Sequence, residues 1–247
     1  MSRSDTKILS IKTRLLLIMA AALAGMILIA IFALQSEKNT LLEDRKVKTR
    51  HLVESSYWVL VHFHEMQKHG MVTEDQAKQG ALDIIKSMRY EKSEYFWIND
   101  MLPRVVMHPI KPELDGKDVS GLKDPNGKLL FVEFVDTVKR SGSGFIEYYW
   151  PKPGMDKPVA KISYVKGFEP WGWIIGSGIY LDDVDRIFWK HAIWLVAIIV
   201  AITALIGGVM MMVIQRITRS LSELENAMCD IQNSNDLSQR VAVTAQD

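Results

Sequence analysis

Cysteine is nearly absent from this 247-residue chain: a single residue, Cys229, stands toward the C-terminal end. No disulfide framework is available to staple a domain, although an oxidising compartment remains permitted. An excess of one charge sign is lacking too, with 30 lysines and arginines against 29 aspartates and glutamates and a net charge of +1. Without a basic or acidic surplus, neither nucleic acid nor an anionic surface is expected as a partner. Catalytic signatures are also scarce. There is no Gly-x-Ser-x-Gly turn, no cysteine–histidine pair and no convincing carboxylate pair, which leaves a membrane-anchored ectoenzyme as an unsupported alternative. His62, Glu65 and His69 share one helical face at ligand spacing, but no fourth ligand accompanies them. Neither a metal nor a cofactor is expected.

What the chain has is apolar residues, 48% of the total, distributed unevenly. Residues 15–34 and 192–214 are apolar and uncharged throughout. At about 1.5 Å per residue, each can cross a hydrocarbon core of roughly 30 Å. Both are expected to be transmembrane helices in contact with membrane lipid. The first is too long for a signal-peptide core and has no small-x-small cleavage site after it, so an uncleaved anchor fits better. Arg3, Lys7, Lys12 and Arg14 precede the first span, and Arg216 and Arg219 follow the second. By the positive-inside rule, residues 1–14 and 215–247 are cytoplasmic and residues 35–191 lie outside.

After the first span the pattern stays helical to about His69, ending at Gly70. Thr73 and Gln76 then form a capping box for a second helix to about Met88. From Tyr90 on, short aromatic and β-branched runs alternate with Gly, Pro and Asp. Strands are predicted at 95–99, 104–108, 144–150, 159–166 and 173–180, with a helix over 128–139. The expected fold class is α+β: an antiparallel five-stranded sheet with a long N-terminal helix. Residues 181–190 lead back to the membrane as helix. Beyond the second span, Ile217, Leu221, Leu224 and Met228 recur at spacings of three and four, an amphipathic helix broken by Asn233-Ser234-Asn235-Asp236.

These residues resemble a known family. Tyr95-Phe96-Trp97-Ile98-Asn99-Asp100, Met107-His108-Pro109, Leu114-x-Gly116-x-Asp118, Gly144-Phe145-x-x-Tyr148-x-Trp150-Pro151, Lys161-x-Ser163-Tyr164 and Trp171-Gly172-Trp173-x-x-Gly176-x-Gly178-x-Tyr180 follow one another in the order of a single Cache sensor domain. Residues 215–241 resemble the first half of a HAMP linker, with Ser220 where a proline usually precedes the leucine. The resemblance implies a PAS-like sheet and a bacterial receptor of the methyl-accepting chemotaxis type. The alternatives are the input of a histidine kinase or of a cyclic-dinucleotide enzyme. It also implies a small carboxylate ligand of the acetate, propionate, pyruvate or lactate class. A homodimer through the long helix and the HAMP segment is expected. The residues after the second span hold no catalytic domain, so cytoplasmic signalling partners are expected to be reached through an output domain outside them.

A buried carboxylate needs donors, because desolvating an unpaired anion costs several kcal/mol. Within the motifs the donors are Arg89, Tyr95, His108, Tyr148, Lys161 and Tyr164, with Trp97 and Trp150 to exclude water. Alternation puts Tyr95 with Trp97 and Tyr148 with Trp150, but sets Lys161 and Tyr164 on opposite faces unless a bulge intervenes. Each residue also has a structural reading: the aromatics as core, Arg89 as a helix-end cap, Lys161 as a solvated strand residue and His108 as a turn. Gly176 and Gly178 read as close-packing positions.

Overall fold

The computed structural model describes residues 11–91 and 94–234. The expected segment after residue 234 lies outside them. The backbone divides into two units, one of residues up to Leu34 together with those from His191 onward, the other Gln35–Lys190.

In the first unit, helices α1 (Ile11–Lys68) and α4 (Leu181–Ser234) contribute their apolar ends. Both are long and apolar enough to cross a membrane, and their most apolar windows are not buried within the chain. Phe32, Ile29, Leu28 and Leu205 are among the exposed side chains. A core helix of a water-soluble domain would hide such residues; a lipid-facing one presents them. Ile18, Met19, Ala22, Leu23, Thr203, Ile206 and Met210 line part of an apolar cavity of about 260 Å³ between the two.

The second unit is built on one antiparallel sheet. Helix α2 (Glu74–Ser87) starts where the capping box predicts: the Thr73 hydroxyl accepts from the Gln76 amide, and the Gln76 side chain accepts from the Thr73 amide. Strands β1 (Arg89–Tyr90), β2 (Glu94–Asp100), β3 (Val105–Met107), β4 (Ser143–Pro151), β5 (Pro158–Phe168) and β6 (Trp173–Tyr180) follow, with α3 (Leu130–Ser141) before β4. The strand order is β1-β2-β6-β5-β4, and β3 pairs with β2. The five predicted strands are all present. The sixth, β1, is two residues long and carries no alternation for a sequence pattern to register.

Alternation sorts the core into two layers. Tyr95, Trp97, Ile146, Tyr148, Trp150 and Val165 face α3, whose Phe131, Phe134, Val135 and Val138 close over them. Phe96, Ile98, Tyr164, Phe168 and Ile175 face α2 and the part of α1 that lies in this unit, against Val53, Leu60, Ala77, Ala81 and Ile85. Helix α3 stops at Gly142, which takes φ +74° and returns its N–H to the Val138 carbonyl. A side chain is strained there, so glycine is the natural terminator.

Candidate functional site

The site is organised by Lys161. It sits on β5 in register with Tyr148 of β4 on one side and Tyr180 of β6 on the other. The pairing along β5 is regular, so Lys161 takes the α3 face of the sheet together with Ser163 and Val165. Its side chain is 1% exposed. The ammonium donates to the Tyr95 hydroxyl at 3.2 Å and to the Tyr180 hydroxyl at 3.4 Å. It also lies over the Tyr95 and Tyr180 rings at 4.4 and 4.6 Å, with Trp97 at 5.7 Å. Burial pulls its pKa below the usual lysine value, and the charge of Glu94 opposes that shift. Among the described residues its hydrogen-bond partners are neutral phenols, for burial raises Tyr95 and Tyr180 above the ordinary tyrosine range, as it does their neighbour Tyr148.

His108 approaches from the loop that follows β3. Its backbone N–H donates to Asp115 Oδ1 at 2.7 Å, which folds residues 108–115 back on themselves. Ring Nδ1 accepts from the amides of Ile110 (3.3 Å) and Lys111 (2.9 Å). A nitrogen that accepts cannot carry the proton, so the neutral ring holds it on Nε2 and keeps one N–H to donate. Burial, reinforced by Lys161 and Lys111, pushes the His108 pKa down to about 3. The ring packs on Tyr95 at 5.0 Å and on Trp150 at 5.8 Å.

Two glycines of β6 make room for the remaining groups. A Cβ on Gly178 would fall 2.0 Å from Ser163 Oγ and 2.6 Å from the Ile162 carbonyl. The space so freed holds the Ser163 hydroxyl, which bonds the Tyr148 hydroxyl at 2.9 Å. A Cβ on Gly176 would lie 2.4 Å from the Trp97 indole. Trp97 thus lies flat on the sheet and donates Nε1–H to Asn99 Oδ1.

Six of the eight residues singled out from the sequence therefore come together on one face: Tyr95, Trp97, His108, Tyr148, Trp150 and Lys161. Two do not. Arg89 is exposed at the end of α2, and its guanidinium donates to the carbonyls of Lys86 and Met88, the capping role open to any cation there. Tyr164 sits on the opposite face, where its hydroxyl donates to Ser143 Oγ; without a bulge in β5 it cannot join Lys161. Tyr180, which sequence reasoning passed over, belongs with the cluster; Glu94, also passed over, is buried on the opposite face of the sheet. Tyr180 was legible from register, since it pairs directly with Lys161. Glu94 carried no such signal, because what distinguishes it is being 6% exposed with Oε2 unpartnered among the described residues. A cavity of about 290 Å³ opens elsewhere on this unit, beside Val138, Lys139, Glu169 and Trp173. At Lys161 the aromatic rings and hydroxyls are in mutual contact.

Comparison with known proteins agrees with this architecture. Residues 4–193 match the Cache domain family. The methyl-accepting chemotaxis protein McpP of Pseudomonas putida is 38% identical over 234 residues, 94% of this chain and 43% of that protein. The sensor histidine kinase MctS of Rhizobium johnstonii is 34% identical over 111 residues, 45% of this chain and 24% of that protein. The chain thus spans less than half the length of either curated relative. Among solved structures, a periplasmic sensor domain of a chemotaxis protein aligns with TM-score 0.56 and 52% identity, covering 56% of this chain and 96% of that one. A Cache chemosensory domain described in terms of carboxylic acid recognition aligns with TM-score 0.56 and 45% identity, over 57% of this chain and 97% of that one. The chain belongs to the Cache-domain family, and its sheet-bearing unit is a sensor domain of the chemoreceptor kind.

Proposed function

We propose that this chain is the sensing half of a two-pass bacterial inner-membrane chemoreceptor whose periplasmic domain, residues 35–191, binds a small carboxylate of the acetate, propionate, pyruvate or lactate class. The observation that carries this reading is Lys161: a buried ammonium whose hydrogen-bond partners are neutral hydroxyls. Burying a cation costs several kcal/mol unless an anion meets it at close range, and a ligand carboxylate is such an anion. The Tyr95, Tyr148 and Tyr180 hydroxyls and the His108 Nε2–H are further donors on the same face, and Trp97 and Trp150 keep water out. The 45%-identical sensor domain whose structure concerns carboxylic acid recognition supports the same ligand class.

Entry requires the cluster to open, since Lys161 presently rests on Tyr95 and Tyr180. The Tyr180 hydroxyl also donates to the Pro151 carbonyl at 2.9 Å. Beside it, Lys152 bridges Asp182 and Asp183 in the first turn of α4, at 2.9 and 2.7 Å. A ligand that draws Lys161 from Tyr180 thereby disturbs the start of the helix leading to the second span. A hundredfold preference for one arrangement supplies only about 2.7 kcal/mol, enough for a helix with two near-equal packings. On this reading the receptor is a homodimer. Val47 and Trp58, eleven residues apart on one face of α1, are exposed, as is the stripe Ile217, Leu221, Leu224 and Met228 on α4. Both faces suit the same helix of a second copy, the latter as a HAMP segment passing the signal to cytoplasmic partners.

Affinity has a ceiling. Acetate has four heavy atoms, and at about 1.5 kcal/mol each its Kd cannot fall much below tens of micromolar. Calorimetric titration of the Gln35–Lys190 unit with acetate, propionate, pyruvate and lactate tests the proposal. A micromolar-to-millimolar Kd for at least one is expected; no heat and no rise in melting temperature with any of them refutes it. The kinase relative supports a second output, a histidine kinase fed by the same sensor. Which output is attached does not alter the binding test.

A further inference from the structure

Two further lysines border the aromatic cluster, and they differ in one respect. Lys152 Nζ lies 5.2 Å from the centre of the Tyr180 ring and is matched by Asp182 and Asp183. Lys111 Nζ lies 5.0 Å from the centre of the Trp150 ring, and among the described residues no carboxylate pairs with it. Of the acids nearby in sequence, Asp115 accepts from the His108 N–H and Glu113 is exposed. A ring face holds an ammonium by weak attraction and does not neutralise it. The backbone of Lys111 is fixed from both sides. Its N–H donates to His108 Nδ1 at 2.9 Å, and its carbonyl accepts from the Leu114 amide at 3.0 Å at the start of the short turn Pro112–Leu114. Ile110 and Leu114 pack against the α3-side core. The contact with Trp150 is thus set by the fold.

Trp150 is itself part of the site, for its ring meets His108 at 5.8 Å and Tyr148 at 6.5 Å. His108 in turn meets Tyr95, and the Tyr95 hydroxyl accepts from Lys161. One run of rings therefore joins two ammoniums, Lys161 buried within it and Lys111 half-buried at its rim. Helix α3 closes its side of the cluster with Phe131, Phe134, Val135 and Val138, which offer an anion nothing. At the Lys152 rim the positive charge is already matched. An approaching anion meets uncompensated positive charge beside Lys111. We propose that residues 108–111 are the mouth of the carboxylate site and that Lys111 is a further binding residue there, an outer cation that captures the anion before it pairs with Lys161. The proposal rests on the carboxylate-binding reading above and adds to it a route of entry and a second determinant of charge selectivity. An unmatched ammonium at the rim of a cleft with low-dielectric walls concentrates anions there, and salt weakens the attraction. A ligand seated on Lys161 stays within the field of Lys111, so the outer cation lowers Kd as well as speeding capture.

The test is isothermal titration of the full chain in phosphatidylcholine nanodiscs with acetate and with propionate, at about 20 mM and about 500 mM sodium chloride. Lys111→Met keeps the apolar stem over Trp150 and removes the charge. Its Kd for both acids is expected to exceed that of wild type about three- to tenfold at the lower salt and by clearly less at the higher. Lys111→Arg is expected to restore the wild-type values. Lys139→Met, at the open cavity beside Trp173, removes the same net charge and is expected to change nothing. Equal Kd for wild type and Lys111→Met at the lower salt overturns the proposal while leaving the Lys161 site standing. A loss that salt does not diminish, or that Lys111→Arg shares, also overturns it, because either assigns Lys111 to packing. A loss of equal size in Lys139→Met does the same, because the effect then belongs to net charge. Wild type that binds neither acid removes the underlying site instead, and the proposal with it. Should Lys111→Met fail to fold, Lys111→Gln is judged by the same criteria.

Discussion

At the scale of single residues, the cluster separates groups that sequence reasoning had to treat alike. Lys161→Met keeps the buried stem and removes the charge. Carboxylate affinity is expected to fall at least about tenfold, since a charge-assisted hydrogen bond of about 1.5–3 kcal/mol is lost. The ligand-free melting temperature should stay the same or rise, because a buried ammonium facing neutral groups stabilises little. Arg89→Ala, by contrast, should leave affinity unchanged in the same titration, for Arg89 caps α2 in solvent. His108 yields a pH prediction. Its folded pKa lies below the unfolded value of about 6.5, so its contribution to stability is full above that value and shrinks as pH falls toward about 3. Glu94, with a raised folded pKa, acts in the opposite sense from the unfolded carboxylate value upward. The wild-type profile alone mixes the two, so the comparison must be with His108→Gln. The stability gap between wild type and this variant should close by about 2 kcal/mol between pH 7 and pH 5, measured by urea unfolding. A constant gap would show that His108 titrates normally.

At the scale of elements, most of the fold could be read in advance because local rules and tertiary packing agree. The Thr73 capping box and the alternation of β2 and β4 each have a local cause that the structure also shows. What could not be read had no local cause. Strand β1 exists because its two residues meet β2, and Glu94 gains its character from burial by distant segments. Lys161 and Tyr164 illustrate the same limit. Alternation put them on opposite faces, but only the pairing of β5 with β4 and β6 fixed which face holds the other donors. Gly178 shows how an element's geometry serves the site. Gly178→Ala would drive a methyl into Ser163 Oγ and the Ile162 carbonyl, and since backbone is involved the strands must shift. A loss of about 1–3 kcal/mol in stability is expected by denaturant titration, together with weaker ligand binding as Ser163 releases Tyr148.

For the whole molecule, the proposed account joins one small anion to two long helices through Lys161, Tyr180 and the Lys152–Asp182–Asp183 bridge. Its dimer face can be tested directly. In a Cys229→Ser background, Trp58→Cys should give a disulfide-linked dimer on mild oxidation of membranes, seen on a non-reducing gel, whereas Lys78→Cys on α2 should not. Equal crosslinking at both positions would argue for random encounter. The central claim concerns where the carboxylate goes, and the structure of the Gln35–Lys190 unit crystallised with propionate answers it most directly. The account predicts a carboxylate oxygen within about 2.7–3.0 Å of Lys161 Nζ, with the ammonium drawn away from Tyr180. Propionate lodged instead in the open cavity beside Glu169 and Trp173, with Lys161 still resting on both tyrosines, would contradict it.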